Sequence, residues 1–323
     1  MSDAILFAYD FDGSGGAKPL AADAVSDHLK AKEIAWVHLD ANHADTRGWL
    51  EREIAYLDPF ITEALLAEET SPRVTEIDGG ALLFLRGVNL NEDAAPEDMV
   101  SIRLWIDDHR IISVRKRRLQ AVRDIEGKLL EGKGPKDAGE FVAQLVAKMF
   151  NRFEPVLANL DEATDNIEEA VLETASTDQR ESIVSVRKQA IVFRRYMAPQ
   201  RDVIMQLYGS ELPWLSQHHR RHLQESFGRV KRYVDDLDAI RERAQIIKDE
   251  LAAILSDRLN KNMYVLSVIA AIFLPLGFLT GLLGINVGGI PGAENEYAFA
   301  IFGGILAAIV AVQVFVFKKL KWF

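Results

Sequence analysis

Residues 262–293 contain no charged side chain. A run that long does not fit a soluble core helix, and its middle suffices to cross the ~30 Å hydrocarbon layer of a bilayer. A second run, residues 298–317, is again long enough to span and carries one strongly polar residue, Gln313. Two such spans at the end of a mostly hydrophilic chain predict a membrane protein with a large aqueous part.

Flanking charge orients the spans. Arg258 and Lys261 precede the first, Lys318, Lys319 and Lys321 follow the second, and the loop between holds only Glu294 and Glu296. The positive-inside rule then puts both termini in the cytoplasm and the loop outside. The stretch Met1 to Leu6 has no basic residue, and Asp10 and Asp12 interrupt the apolar run that follows. That pattern predicts neither a secretory signal nor a transit peptide. The chain has no cysteine, which excludes disulfides and thiolate metal sites. Formal charge is −10, and the residues beyond Lys261 contribute a net positive unit, so the aqueous part is strongly acidic. Cations suit it better than nucleic acid, although acidity also serves solubility alone.

Within the aqueous part, residues 5–9, 35–39, 81–85, 100–106 and 111–114 read as strands, the last two joined as a hairpin through Asp107-Asp108. Residues 46–56 and 60–67 read as helices. Gly132-Lys133-Gly134-Pro135 marks a boundary, after which the chain is helical to the membrane with breaks near Thr177 and around residues 209–213. Leu237, Ile240, Ala244, Ile247, Leu251 and Ile254 alternate spacings of three and four, a heptad seam that suits packing within one chain or between copies. A helix from about Trp214 through the first span would run roughly 90 Å. The division expected is an α/β domain over 1–135, a helical stalk over 136–262 and a membrane part over 263–323. Its spans are 263–283 and 298–317, and its outer loop is 284–297.

Two helices cannot enclose a water-filled path, so conduction requires several chains around an axis. The first span is the better liner, with Ser267, Gly277, Thr280, Gly281 and Gly284. Neither span holds a titratable group. An ion would meet carbonyls, an amide, a few hydroxyls and water, without the ligands that bind zinc directly. Hard divalent ions hold their water tightly, which suits outer-sphere contact with a ring of Asn286 amides, while apolar rings such as Leu274 could gate by dewetting. Gly284-Ile285-Asn286 is also what a helix end commonly carries.

The segment from Phe273 to Asn286, closing on Gly284-Ile285-Asn286 at the outer end of the first of two spans, resembles the CorA family of divalent-cation transporters. The family signature is Gly-Met-Asn, and Ile285 stands where the Met would be. That change, with Gly288-Gly289-Ile290-Pro291-Gly292 and the terminal Lys321-Trp322, is similar to the ZntB-like zinc-transport branch. The resemblance implies an α+β fold: an N-terminal α/β cytosolic domain, a long helical stalk forming a funnel, and two C-terminal transmembrane helices, assembled as a homopentamer. Carried over by position, Asn286, Gly284 and Ile285 form the outer entrance, and Met263, Leu266, Leu274 and Gly277 line the pore below it. Gly277 falls where magnesium-transporting relatives often have a hydroxyl, which with Ile285 moves the expected cargo from magnesium to zinc.

Other candidates each have two readings. His218, His219 and His222 offer a shared metal contact or a solvated cluster. Asp161, Asp165 and Glu169, with Glu162, Glu168 and Glu173, form an acidic helical face that could hold or concentrate cations, or simply be solvated. Glu294 and Glu296 could draw cations to the outer mouth. Arg115 to Arg118 suit pairing with carboxylates better than with lipid or nucleic acid, and Gly13 to Gly16 lack the residues of a phosphate loop.

The function expected is transport, not catalysis: passage of hydrated divalent cations, zinc foremost and cobalt, nickel, cadmium or magnesium beside it, with no cofactor, in a bacterial inner membrane. The partners expected are the cations, lipid and further copies of the chain. The rivals are a magnesium or cobalt channel of the same family, and a membrane-anchored metal sensor or scaffold without flux.

Overall fold

A computed structural model describes residues 4–31, 33–68, 71–284, 290, 292 and 295–319. By its internal contacts the chain divides into two units, Met1–Asp249 and Glu250–Phe323. Asn286, Ile285 and Glu294 lie outside the described residues.

The first unit is built on a seven-stranded sheet. Its strands are β1 (Ile5–Phe11), β2 (Ala17–Pro19), β3 (Ala35–Asp40), β4 (Arg73–Ile77), β5 (Gly80–Gly87), β6 (Val100–Ile106) and β7 (Arg110–Arg115). They lie in the order β2-β1-β3-β7-β6-β5-β4, with β3 and β7 parallel and every other pair antiparallel. β3 is buried on both faces. Val37 and Leu39 join Leu82, Phe84, Trp105 and Val114 in one core layer under α1 (Val25–Lys30), α2 (Asp45–Glu53) and α3 (Pro59–Leu66). On the other face the Trp36 ring meets Phe141 edge-on at 4.8 Å. Such double burial is what a central, partly parallel strand requires.

All five strands expected from sequence are present, as is the β6–β7 hairpin. The two that were not expected are the edges. β2 has three residues and ends at Pro19, and β4 carries the charges of Arg73 and Glu76. Short or charged edges discourage further pairing, and they lack the alternation by which strands are recognised. α4 (Gln120–Leu130) was also unexpected, although Ala121, Val122, Ile125 and Leu129 bury one helical face.

Three long helices follow: α5 (Ala138–Glu173), α6 (Gln179–Gly209) and α7 (Gln217–Gly284). Asp137 caps α5, accepting from the Glu140 N–H at 2.8 Å, while Glu140 reaches back to the Lys136 N–H at 2.9 Å. α7 is one helix of 68 residues. Its seam residues Leu237, Ile240, Ala244 and Ile247 are buried within the first unit, so there the heptads pack inside one chain. Tyr233 sets its ring against Phe150 and Phe153 of α5, and Arg194 of α6 holds Asp238 at 2.6 Å.

In the second unit α7 meets α8 (Ala298–Lys319). Both helices contain a window long and apolar enough to cross a membrane. Pro275 lies inside α7. Having no N–H, it leaves the Ala271 carbonyl without its usual donor four residues on. Gln313 supplies one, its Nε2 donating to the Ala271 oxygen at 3.1 Å. In hydrocarbon an unpaired carbonyl has no water to turn to, so the single strongly polar residue of the second span answers the single proline of the first. Gln313→Leu is expected to weaken association of the two helices by about 1 kcal/mol, within the range of interhelical hydrogen bonds in membranes. The same change in a Pro275→Ala background should cost almost nothing, because an alanine at that position restores the helical donor. Stability of the four variants in detergent gives the coupling, and additive effects would contradict the pairing.

Candidate functional site

At 100° per residue Met263, Leu266, Leu274, Gly277 and Gly284 fall within an arc of roughly 80° on α7. Leu259, Ala270 and Gly281 fall in the same arc. All eight are exposed in the single chain, Met263 at 65%, Leu266 at 68% and Leu274 at 73%. The residues turned toward α8 are Val268, Ala271, Ile272, Pro275, Leu276 and Leu279, buried or half-buried and centred about 170° away. The hairpin therefore packs on one side of α7 and leaves the opposite side uncovered. That side runs from long apolar residues at Leu259, Met263 and Leu266 to glycines at Gly277, Gly281 and Gly284, and has no charge.

The two aliphatic hydroxyls of the first span, Ser267 and Thr280, are turned back on their own helix. Ser267 Oγ donates to the Met263 carbonyl at 2.8 Å, and Thr280 Oγ1 to the Leu276 carbonyl at 2.9 Å. They are less open to a passing ion than sequence reading expected. Glu296 is exposed in the turn before α8, where Asn295 Oδ1 accepts from the Tyr297 N–H at 2.9 Å.

The histidines separate. His218 and His222 face each other across one helical turn with their Nε2 atoms 3.2 Å apart. They line a cavity with Glu140, Gln144 and Glu225, which His219 also borders. His219 turns inward instead. It is 7% exposed, with Nε2 3.3 Å from Asp137 Oδ1 and Nδ1 accepting from the Ser216 N–H. Its ring occupies the space beside Gly139 that any Cβ there would need. His219 thus ties the start of α7 to the cap of α5. Among the described residues the three do not bring ligand atoms together as a metal triad.

The acidic face is also partly claimed. Arg243 of α7 holds Asp165 and Glu168 at 2.5 Å and Asp161 at 3.4 Å. Its hydrogen bonds to Glu168 and Asp165 push the guanidinium above its ordinary range. Burial, then the neighbouring Asp161 and Asp235 charges, raises the Asp236 carboxyl. Glu169 stays outside this clamp, bordering an open groove with Glu173 and Leu172. Arg243 was missed in sequence, although acids at 161, 165 and 168 with an arginine beside the heptad residue Ala244 are the signal for it.

An α/β domain joined by one long helix to two uncharged spans is the architecture of a two-span membrane protein, and its relatives make it a cation transporter. The family model described as "CorA-like Mg2+ transporter protein" matches residues 31–319. The zinc transport protein ZntB of Yersinia enterocolitica is 35% identical over 322 residues, covering 100% of this chain and 97% of that one. The divalent cation transporter CmaX of Pseudomonas aeruginosa is 38% identical, covering 98% of this chain and 96% of its own. The solved full-length CmaX structure superimposes with a TM-score of 0.88 at 36% identity, covering 100% of this chain and 99% of that one. The chain belongs to the CorA-like transporter family, and it is a metal-cation transporter rather than an enzyme.

Arg243→Gln leaves Asp161, Asp165 and Glu168 without their shared cation. The groups are largely exposed, so the loss of stability should be no more than about 1 kcal/mol. Added magnesium or zinc should raise the thermal midpoint of this variant more than that of the parent chain. An equal cation dependence of the two would show that the clamp does not compete with ions.

Proposed function

We propose that the chain is a homopentameric zinc transporter of the bacterial inner membrane, with both termini cytoplasmic. The cargo follows the zinc transport of the ZntB relatives, and the lack of carboxylate, imidazole and thiolate in either span fits passage of a hydrated ion. Cobalt, nickel, cadmium and magnesium are further substrates on the same chemistry. The observation that carries the reading is the uncovered face of α7 opposite α8. Around an axis, that face of each copy would line the path while α8 stays toward lipid.

On this reading Asn286 and Gly284, with Ile285 between them, form the outer mouth, where a ring of carboxamides hydrogen-bonds the ion's water shell. Glu294 and Glu296 raise the local cation concentration outside it. Below, Leu274, Leu266 and Met263 make apolar rings that conduct only when wet, and Gly277 widens the path between the mouth and Leu274. The ion leaves into a funnel built by the stalk, where Glu169 and its neighbours offer carboxylates. His218 and His222 are a further metal contact: their 3.2 Å separation matches the spacing of two nitrogens on one tetrahedral zinc, roughly 3.3 Å for ordinary Zn–N bonds. The functional parts are then 1–135, 136–262 and 263–323.

A magnesium channel is the second reading, favoured by the description of the matching family model. Competition among zinc, magnesium, cobalt and nickel in one flux assay separates the two. In proteoliposomes loaded with a zinc indicator, Asn286→Ala should slow initial zinc entry at least about tenfold, equivalent to roughly 1.4 kcal/mol of barrier. Undiminished flux from an intact assembly would remove the Asn ring from the mechanism. Zinc binding with no flux in the parent chain would favour a sensor or scaffold.

A further inference from the structure

Asp10 of β1, His28 of α1 and Glu33 in the connection to β3 bring one potential ligand atom each to within 4.8 Å of one another. Local structure accounts for their meeting. Val25 and Leu29 are buried and hold α1 against the sheet, and the Ala31 N–H bonds to the His28 carbonyl and ends the helix. The chain then returns at once to β3, with the Phe11 N–H bonded to the Ile34 carbonyl at 3.0 Å. Glu33 therefore arrives beside the residue next to Asp10.

Two of the polar atoms in this cluster are left without partners. His28 Nδ1 and Asp10 Oδ2 are 3.8 Å apart, beyond hydrogen-bond length. Asp10 Oδ1 and His28 Nδ1 are both shielded from solvent, and neither has a hydrogen-bond partner among the described residues. No lysine or arginine among those residues forms an ion pair with Asp10. Buried polar atoms almost always have partners. Here the Asp10 carboxylate and the His28 ring each keep a shielded atom without a partner, while one ligand atom from each of Asp10, His28 and Glu33 lies within 4.8 Å of the other two, an arrangement suited to a shared ion.

We propose that Asp10, His28 and Glu33 form a divalent-metal site that clips α1 and the following connection to β1. One imidazole nitrogen and two carboxylates suit a borderline cation such as zinc or cobalt, whereas magnesium and calcium favour oxygen-only sets. Zinc bonds of 2.0–2.2 Å put ligand atoms roughly 3.3–3.5 Å apart. Side-chain rotation alone closes the 3.8 Å pair to that distance, and exposed Glu33 is free to swing in. Water completes the fourth position. The site lies in the α/β domain, far along the chain from the spans, and its occupancy is scored by metal bound rather than by flux, so it stands or falls independently of the transport reading.

The test uses the full chain in detergent. Crystals grown with saturating zinc should show anomalous scattering at the zinc edge between Asp10, His28 and Glu33 in the unmutated protein. Equilibrium dialysis should show one fewer tightly bound zinc per chain in Asp10→Asn and in His28→Gln. The double change His218→Ala, His222→Ala should leave this zinc in place. No anomalous peak at the site, or unchanged zinc stoichiometry in both single variants, would overturn the proposal, and a bridging water would give the first of those results. The diffraction result needs no substitution, so a variant that fails to fold does not spoil the test.

Discussion

One hydrogen bond sets the geometry of the membrane hairpin. Pro275 opens the backbone of α7 at the Ala271 carbonyl, and Gln313 of α8 donates to it. In water such a gap would be filled by solvent. In hydrocarbon it must be filled by protein, because the cost of an unpaired carbonyl is not relieved by any neighbour. The bond fixes which side of α7 faces α8, and with it the register of Val268, Ile272 and Leu279 against the second helix. The side left over carries Leu259, Met263, Leu266, Ala270, Leu274, Gly277, Gly281 and Gly284. A defect in one helix thereby selects the face that is left for other uses.

That face has consequences for mechanism. It offers no carboxylate, imidazole or thiolate, the groups that bind zinc directly. On the proposed reading, selectivity for a hydrated ion would come from amide and carbonyl contacts with its water and from the width and wetting of the apolar rings. Charge enters only outside the spans. There the chain is acidic, yet part of that acidity is already spoken for: Arg243 gathers three carboxylates between α5 and α7. Glu169 and Glu173 stay outside the clamp. The clamp supports helix packing, and the proposed funnel draws on the acids beyond it.

The two spans were legible because bilayer residence demands a long uncharged run, whereas Met263, Leu266, Leu274 and Gly277 were named through the family resemblance, and α7 sets them on one face. The buried strands were legible for a similar reason: Leu82 to Leu85 and Ile102 to Ile106 must bury whole runs. β2 and β4 were not, since edge strands are half exposed and their pairing is decided by neighbours far along the chain. Spacing grouped His219 with His218 and His222, but the absent Cβ of Gly139 gave His219 another place. The match of Gln313 to Ala271 depends on the register of two helices, which no local pattern reveals. The same holds for Asp10, His28 and Glu33, which converge only after β1 and β3 pair.

The chain contains no native cysteine, so single cysteines can be placed along α7 from residue 259 to 284 without a prior cysteine-free variant. Reaction of each with a membrane-impermeant thiol reagent, in protein reconstituted in vesicles, reads directly which side of the helix meets water. Fast labelling at Leu266, Ala270, Leu274 and Gly277, with little at Val268, Ile272 and Leu279, is the result expected if the uncovered face lines the ion path. Uniform protection of both sets, or labelling of the α8-facing set alone, would mean that the path runs elsewhere.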